Sequence, residues 1–157
     1  MVSENHGRVF AMKRHIIPHV VRSFAIHTLP PTATVRDAAE VMAEQSIGAV
    51  MIVDAGGRLI GIFSERDMVN RIVVANLTPE TTLLADVMTT SPVTVDPDSC
   101  AIEALNLMAD HHIRHLPVVR HGRPIAMVSV RDLYGALYAE LEEDLSESKA
   151  FIYSGGY

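Results

Sequence analysis

Cysteine occurs once, at Cys100, so the chain can form no intramolecular disulfide and no cysteine-rich zinc cluster. A single thiol fits a reducing compartment. No apolar run approaches the roughly 20 residues that a membrane span needs. The N-terminal stretch MVSENHGRVFAMKRHIIPHVVRSF is broken by charge and by Pro18, which denies it the continuous apolar core of a signal peptide. The expected location is cytoplasmic, with no membrane partner. Basic residues are outnumbered: 13 Lys and Arg stand against 19 Asp and Glu, and the resulting net charge of −6 argues against nucleic acid as a partner. Also missing are a P-loop, a glycine-rich dinucleotide fingerprint and a nucleophile paired with an orienting base. No catalytic residue is expected, and the protein is read as not an enzyme.

What is present is a repeat. HTLPPTATVRDAAEVMAEQSIGAVMIV, residues 27–53, lies against VTVDPDSCAIEALNLMADHHIRHLPVV, residues 93–119. Thr28 falls on Thr94, Met42 on Met108 and Val53 on Val119, always 66 positions apart. After a turn one residue shorter in the second copy, GIFSERD at Gly61 falls on AMVSVRD at Ala126, 65 apart. Each copy reads as an extended lead-in, a helix, two strands and a second helix. In the first helices Val35, Ala38, Ala39 and Met42, and then Ala101, Ala104, Leu105 and Met108, occupy i, i+3, i+4 and i+7, so each presents one apolar face. DAGGR and HGR carry the glycines of tight hairpin turns between β-rich runs. The second helices are expected to start near Asp67 and Asp132, the latter continuing through Leu133, Leu137, Leu141 and Leu145. A unit of this size buries little surface alone, and two packed sheet to sheet would cover both apolar faces.

The chemistry sits at the end of each second strand, where Ser64, Arg66 and Asp67 recur as Ser129, Arg131 and Asp132. Ser-x-x-Asp forms a helix capping box. Capping needs no arginine, however, and a helix N-terminus already suits a phosphate. The carboxylate can accept from ribose hydroxyls and the guanidinium can fork onto phosphate oxygens. A third element is HHIRHLPVV, where Arg114 and His115 stand at the mouth of a strand. His111 and His115, like His15 and His19, are four apart, a zinc-chelating spacing on a helix. The first pair is split by the expected helix end near His112, and no further ligand completes either set, so no metal site is expected. His111, His112 and His121 read as solvated surface residues, and Cys100 as a small packed residue in the first turn of its helix.

Two such repeats, with GIFSERD, HHIRHLPVV and VSVRD in place, resemble a tandem pair of CBS domains, the Bateman module, over roughly residues 24–139. The resemblance implies an α/β (α+β) fold of two pseudo-twofold-related repeats. Each is helix-strand-strand-helix with a short extra lead-in strand, and the two pack through their sheets. It divides the chain into an N-terminal extension (1–23), repeat 1 (24–78), repeat 2 (79–139) and a C-terminal helical tail (140–157). It implies a stand-alone, non-enzymatic sensor that binds AMP, ADP, ATP or another adenosyl ligand between the repeats and needs no other cofactor. Asp67 and Asp132 would hold ribose. Ser64, Arg66, Ser129 and Arg131, with Arg114 and His115, would face phosphate, and Thr28 and Thr94 would flank the base. A homodimer and an unidentified regulated protein are the expected partners. The alternative is a ligand-free dimerisation module. Two departures bear on the choice: Gly48-Ala49 stands where repeat 2 has Arg114-His115, and Ala126 stands where repeat 1 has Gly61. At most one high-affinity site is expected.

Overall fold

A computed structural model describes His15, Ile16, Val20, Val21 and residues 25–154. The repeat read from the sequence is realised element by element. In the first copy, strand β1 (Thr28–Leu29) leads to helix α1 (Val35–Gln45), and strands β2 (Ala49–Val53) and β3 (Leu59–Ser64) follow as a hairpin. Helix α2 (Glu65–Asp67) runs on as a π-helical segment, Met68–Val73. After a turn come the short helix α3 (Leu84–Val87) and strand β4 (Thr89–Thr90). The second copy supplies helix α4 (Ala101–Asp110), strands β5 (His115–Arg120) and β6 (Arg123–Ser129), and helix α5 (Val130–Ser154).

β1 pairs parallel with β2, and β2 with β3 and β3 with β4 antiparallel, giving the sheet order β1-β2-β3-β4. β5 and β6 form the second sheet, and the parallel bridge from Val95 to Val118 reproduces the Leu29–Ile52 pairing of the first. Local chemistry sets the helix ends. Thr34 caps α1 in a reciprocal box, its Oγ1 accepting from Asp37 N while Asp37 Oδ2 accepts from Thr34 N at 2.8 Å. Ser46 ends α1 at φ 54°, and His112 repeats that left-handed turn after α4 at φ 53°. Cys100 stands just ahead of α4 as its cap residue, its N–H donating to Glu103 Oε2 at 3.0 Å.

Val35, Ala38 and Met42 of α1 and Ala101, Ala104 and Met108 of α4 are buried, each set against its own sheet. Alternation along β2 sends Val50 and Ile52 into the helix-side core and Ala49 and Met51 to the other face. All four are buried. On α5 the expected apolar stripe is buried only at its start: Leu133 is inaccessible, whereas Leu141 and Leu145 are exposed.

The two cores are completed crosswise. Leu84 and Val87, in the lead-in of the second copy, lie in the core of the first, with Leu84 N bonded to Ala33 O at 2.9 Å. Ile16 and Val21, ahead of the first copy, lie in the core of the second, with Ile16 N bonded to Ser99 O at 2.9 Å. Ala33 and Ser99 are equivalent positions, so the exchange obeys the same pseudo-twofold as the repeats. Ile16 and Val21 thereby dock their part of the N-terminal segment on repeat 2. His19 and Tyr157 lie outside the described residues. No helix among the described residues is long and apolar enough to cross a membrane.

Candidate ligand clefts between the repeats

Both Ser-x-Arg-Asp motifs form the capping box that their spacing allows. Asp67 Oδ2 accepts from Ser64 N at 2.9 Å and Oγ at 2.7 Å, and Asp132 Oδ2 accepts from Ser129 N at 2.8 Å and Oγ at 2.7 Å. Capping and ligand binding are therefore not rivals, because the cap occupies one carboxylate oxygen and leaves the other.

Each motif faces a cleft whose far wall belongs to the other repeat. The Asp67 cleft, about 500 Å³, is closed by Ser91, Pro92 and Val93 and by residues 111–115. The Asp132 cleft, about 650 Å³, is closed by Ala25, His27 and residues 45–49, with Met51, Met127 and Val130 supplying apolar surface. Gly48, Glu65, Arg114 and His115 border both. Arg66 lines the first and Arg131 the second. Thr28 and Thr94 line neither; the lead-in lining comes instead from His27 and from Ser91 to Val93. Thr28 pairs along β1 with Met51 and stays exposed, as does Thr94. Strand parity explains the displacement: neighbouring residues point to opposite faces. His111 and His112 are exposed, yet both line the Asp67 cleft.

The two clefts differ in how far their polar groups are already engaged. Asp67 Oδ1 lies 3.3 Å from Arg71 Nε, and its side chain is only 16% exposed. Arg71 donates further to Val87 O at 2.6 Å and to Thr89 Oγ1 at 2.9 Å. Arg66 donates to His112 O at 2.7 Å, crossing between repeats. In the second copy the position of Arg71 is Ala136, so Asp132 Oδ1 has no partner among the described residues. Arg131 and Arg114 are exposed and unpaired there as well. Arg71 escaped the sequence reading. Its signal was an Asp–Arg pair at i, i+4 in one repeat and not in the other.

Gly48 also acquires a reason. A Cβ built on it would stand 2.9 Å from both Cε1 and Nε2 of His115. The segment ahead of β2 thus meets the one ahead of β5 through Gly48 and His115, and equivalent bonds within each repeat, Glu65 N on Gly48 O at 3.0 Å and Val130 N on Arg114 O at 2.9 Å, hold the two segments. One imidazole fills the space, and the opposite residue must lack a side chain. The glycine is thus the counterpart of the histidine and no sign of an abandoned site. Gly61 answers to β4, since a Cβ there would meet Met88 Cγ at 3.0 Å and Thr89 O at 3.3 Å. Ala126 sits in the core of repeat 2 without crowding a cleft.

Burial pushes the His115 pKa below its ordinary 6.5, with Arg114 acting in the same direction and Glu65 and Asp132 opposing. Below 6.5 the unfolded chain protonates this imidazole before the folded one does. Stability should therefore fall as pH is lowered from 6.5 towards the folded pKa, and should be fully present above 6.5. Urea midpoints at pH 7.5 and 5.5 should lie further apart in the native protein than in His115→Gln. Equal gaps would show that His115 titrates alike in both states. Among the described residues no group of three His, Cys, Asp or Glu could hold a metal ion.

The family model of the CBS domain matches twice, over residues 11–74 and 84–139. The chain belongs to the CBS-domain family. CBS domain-containing protein CBSX3, mitochondrial, of Arabidopsis thaliana is 37% identical over 128 residues, 79% of this chain and 62% of that relative. The chain thus spans less than two thirds of that relative's length. Among solved structures, a protein with CBS domains from Burkholderia ambifaria MC40-6 superposes with a TM-score of 0.75 at 30% identity, covering 80% of this chain and 95% of the other. A CBS domain protein from Pyrobaculum aerophilum complexed with AMP gives a TM-score of 0.66 at 28% identity, covering 72% and 86%. The tandem CBS architecture read from the repeat is the observed one.

Proposed function

We propose that this CBS pair is a non-enzymatic sensor that takes an adenine nucleotide (AMP, ADP or ATP) in the Asp132 cleft. The observation that carries the reading is the difference between the two aspartates. Asp132 keeps one carboxylate oxygen unpaired for a ribose hydroxyl, whereas Asp67 has spent its second oxygen on Arg71. Ser129 orients the Asp132 carboxylate, Arg131 and Arg114 offer cations to phosphate, and His115 offers a ring N–H beside them. Met51, Met127 and Val130 give the base an apolar bed. The AMP complex of the Pyrobaculum relative supports the ligand class. The Asp67 cleft is then structural, its Arg66 and Arg71 tying the repeats together.

For binding to signal, the nucleotide must favour one arrangement of repeats or subunits over another, and a regulated protein must read the change. A second copy is the proposed immediate partner. Val69 and Val73 on the helix after β3 and Tyr134 and Tyr138 on α5 occupy equivalent positions, and all four are exposed. A thermal-shift panel with AMP, ADP, ATP, NAD and S-adenosylmethionine tests the ligand. At about a hundred times its dissociation constant, a nucleotide should add roughly 2.7 kcal/mol. A folded protein that responds to none of them is the ligand-free module instead.

A further inference from the structure

The hairpin tips carry an unbalanced cluster of cations at the end of the strands remote from the clefts. The registers fix this placement. Ala49 opposite Ser64 and His115 opposite Ser129 mark the cleft ends, while Val53 opposite Leu59 and Arg120 opposite Arg123 mark the tips. At about 3.3 Å per residue the two ends are roughly 15–20 Å apart. The tips interlock, with Leu59 N bonded to Gly122 O at 3.0 Å. A Cβ on Gly57 would stand 2.7 Å from Arg123 Nη1, and one on Gly122 would stand 2.8 Å from Arg58 Nη2. Each of these guanidiniums thus lies over the glycine of the other hairpin, on an exposed side chain.

Arg120 and Arg123 face each other directly across the two-residue turn His121–Gly122, and like charges so opposed are destabilising. Among the described residues none of Arg58, Arg120 and Arg123 pairs with a carboxylate; the ion pairs formed are Arg36 with Glu40 and Glu80, and Arg71 with Asp67. The nearby acid is Asp54, whose Oδ1 is taken by the backbone N–H groups of Gly56 and Arg58 at 2.9 Å each. In a chain of net charge −6, this is a local basic pole with a stability cost.

We propose that the hairpin pole is a docking surface for an acidic segment of a partner protein, whose carboxylates are received by Arg58, Arg120 and Arg123. The planar fork of a guanidinium matches the two oxygens of a carboxylate, and among the described residues none of the three has an internal carboxylate to release first. Three of them suit two or three carboxylates, while the acidic remainder of the surface repels a long polyanion such as nucleic acid. The inference does not depend on the nucleotide clefts, and its location leaves both clefts open.

The test uses the whole chain and a labelled eight-residue peptide of alternating Glu and Asp at low ionic strength. The native protein should bind it, with amide shifts centred on residues 56–59 and 120–123. Arg120→Glu, which turns the opposed pair into an attractive one, should raise the thermal midpoint and weaken the peptide at least about tenfold. Arg120→Ser should relieve the repulsion without adding a charge, and it keeps the test alive if the reversal misfolds. Absence of peptide binding, or equal binding by both variants, would overturn the proposal. A lowered midpoint in both variants would make Arg120 a structural residue. A short RNA that outcompetes the peptide would overturn the choice of partner.

Discussion

Ile16→Ala should cost the fold about 2–5 kcal/mol, as much as truncating a residue in the middle of either repeat. Ile16 lies far from repeat 2 in sequence, yet its side chain is inaccessible and packs with Leu116, Val118, Val128 and Leu133. The loss combines the transfer of the removed carbons with the cavity left between α4 and the second sheet. For a chain of this length it should lower the thermal midpoint by about 2–4 °C for each kcal/mol. Leu84→Ala, its equivalent in the other core, should behave alike. A midpoint unchanged by Ile16→Ala would mean that the N-terminal segment does not complete the second core.

Gly48→Ala should destabilise by about 1–3 kcal/mol, because the new methyl must displace the His115 ring. Gly48 is not among the glycines with positive φ, so its backbone accepts alanine without strain. In a His115→Ala background the obstruction is gone, and the same change should become neutral or stabilising by about 0.4–1 kcal/mol. The double-mutant cycle reads this reversal of sign directly. A cost that persists without His115 would place the constraint in the backbone and not in the imidazole.

The repeat, the two helix registers and both motifs were legible because each is written in local pattern. Val35, Ala38 and Met42 announce a buried face by spacing alone, and Ser64 with Asp67 announces a cap. What escaped depends on which side chain meets which across the pseudo-twofold axis. Gly48 looked like a missing cation until His115 was seen to fill its space. Leu84 and Ile16 sit in short segments with too few residues for a periodic signal, and only the tertiary exchange shows which core each serves. Arg71 was visible as a neighbour of Asp67, but its effect was not, since that depends on the 3.3 Å approach to Oδ1. The leucines of α5 erred in the other direction. Spacing put Leu141 and Leu145 on one stripe with Leu133, but the repeat's sheet and α4 cover only its beginning.

The proposed difference in function between two clefts alike in motif rests on Arg71, which occupies one aspartate, and Ala136, which leaves the other free. Calorimetric titration of AMP into the native protein, Asp67→Asn and Asp132→Asn at one pH tests it most directly, since asparagine retains an oxygen for the helix cap. A single nucleotide per chain is expected in the native protein and in Asp67→Asn, with affinity weakened at least about tenfold in Asp132→Asn. Loss of binding in Asp67→Asn, with Asp132→Asn unaffected, would contradict the proposed difference.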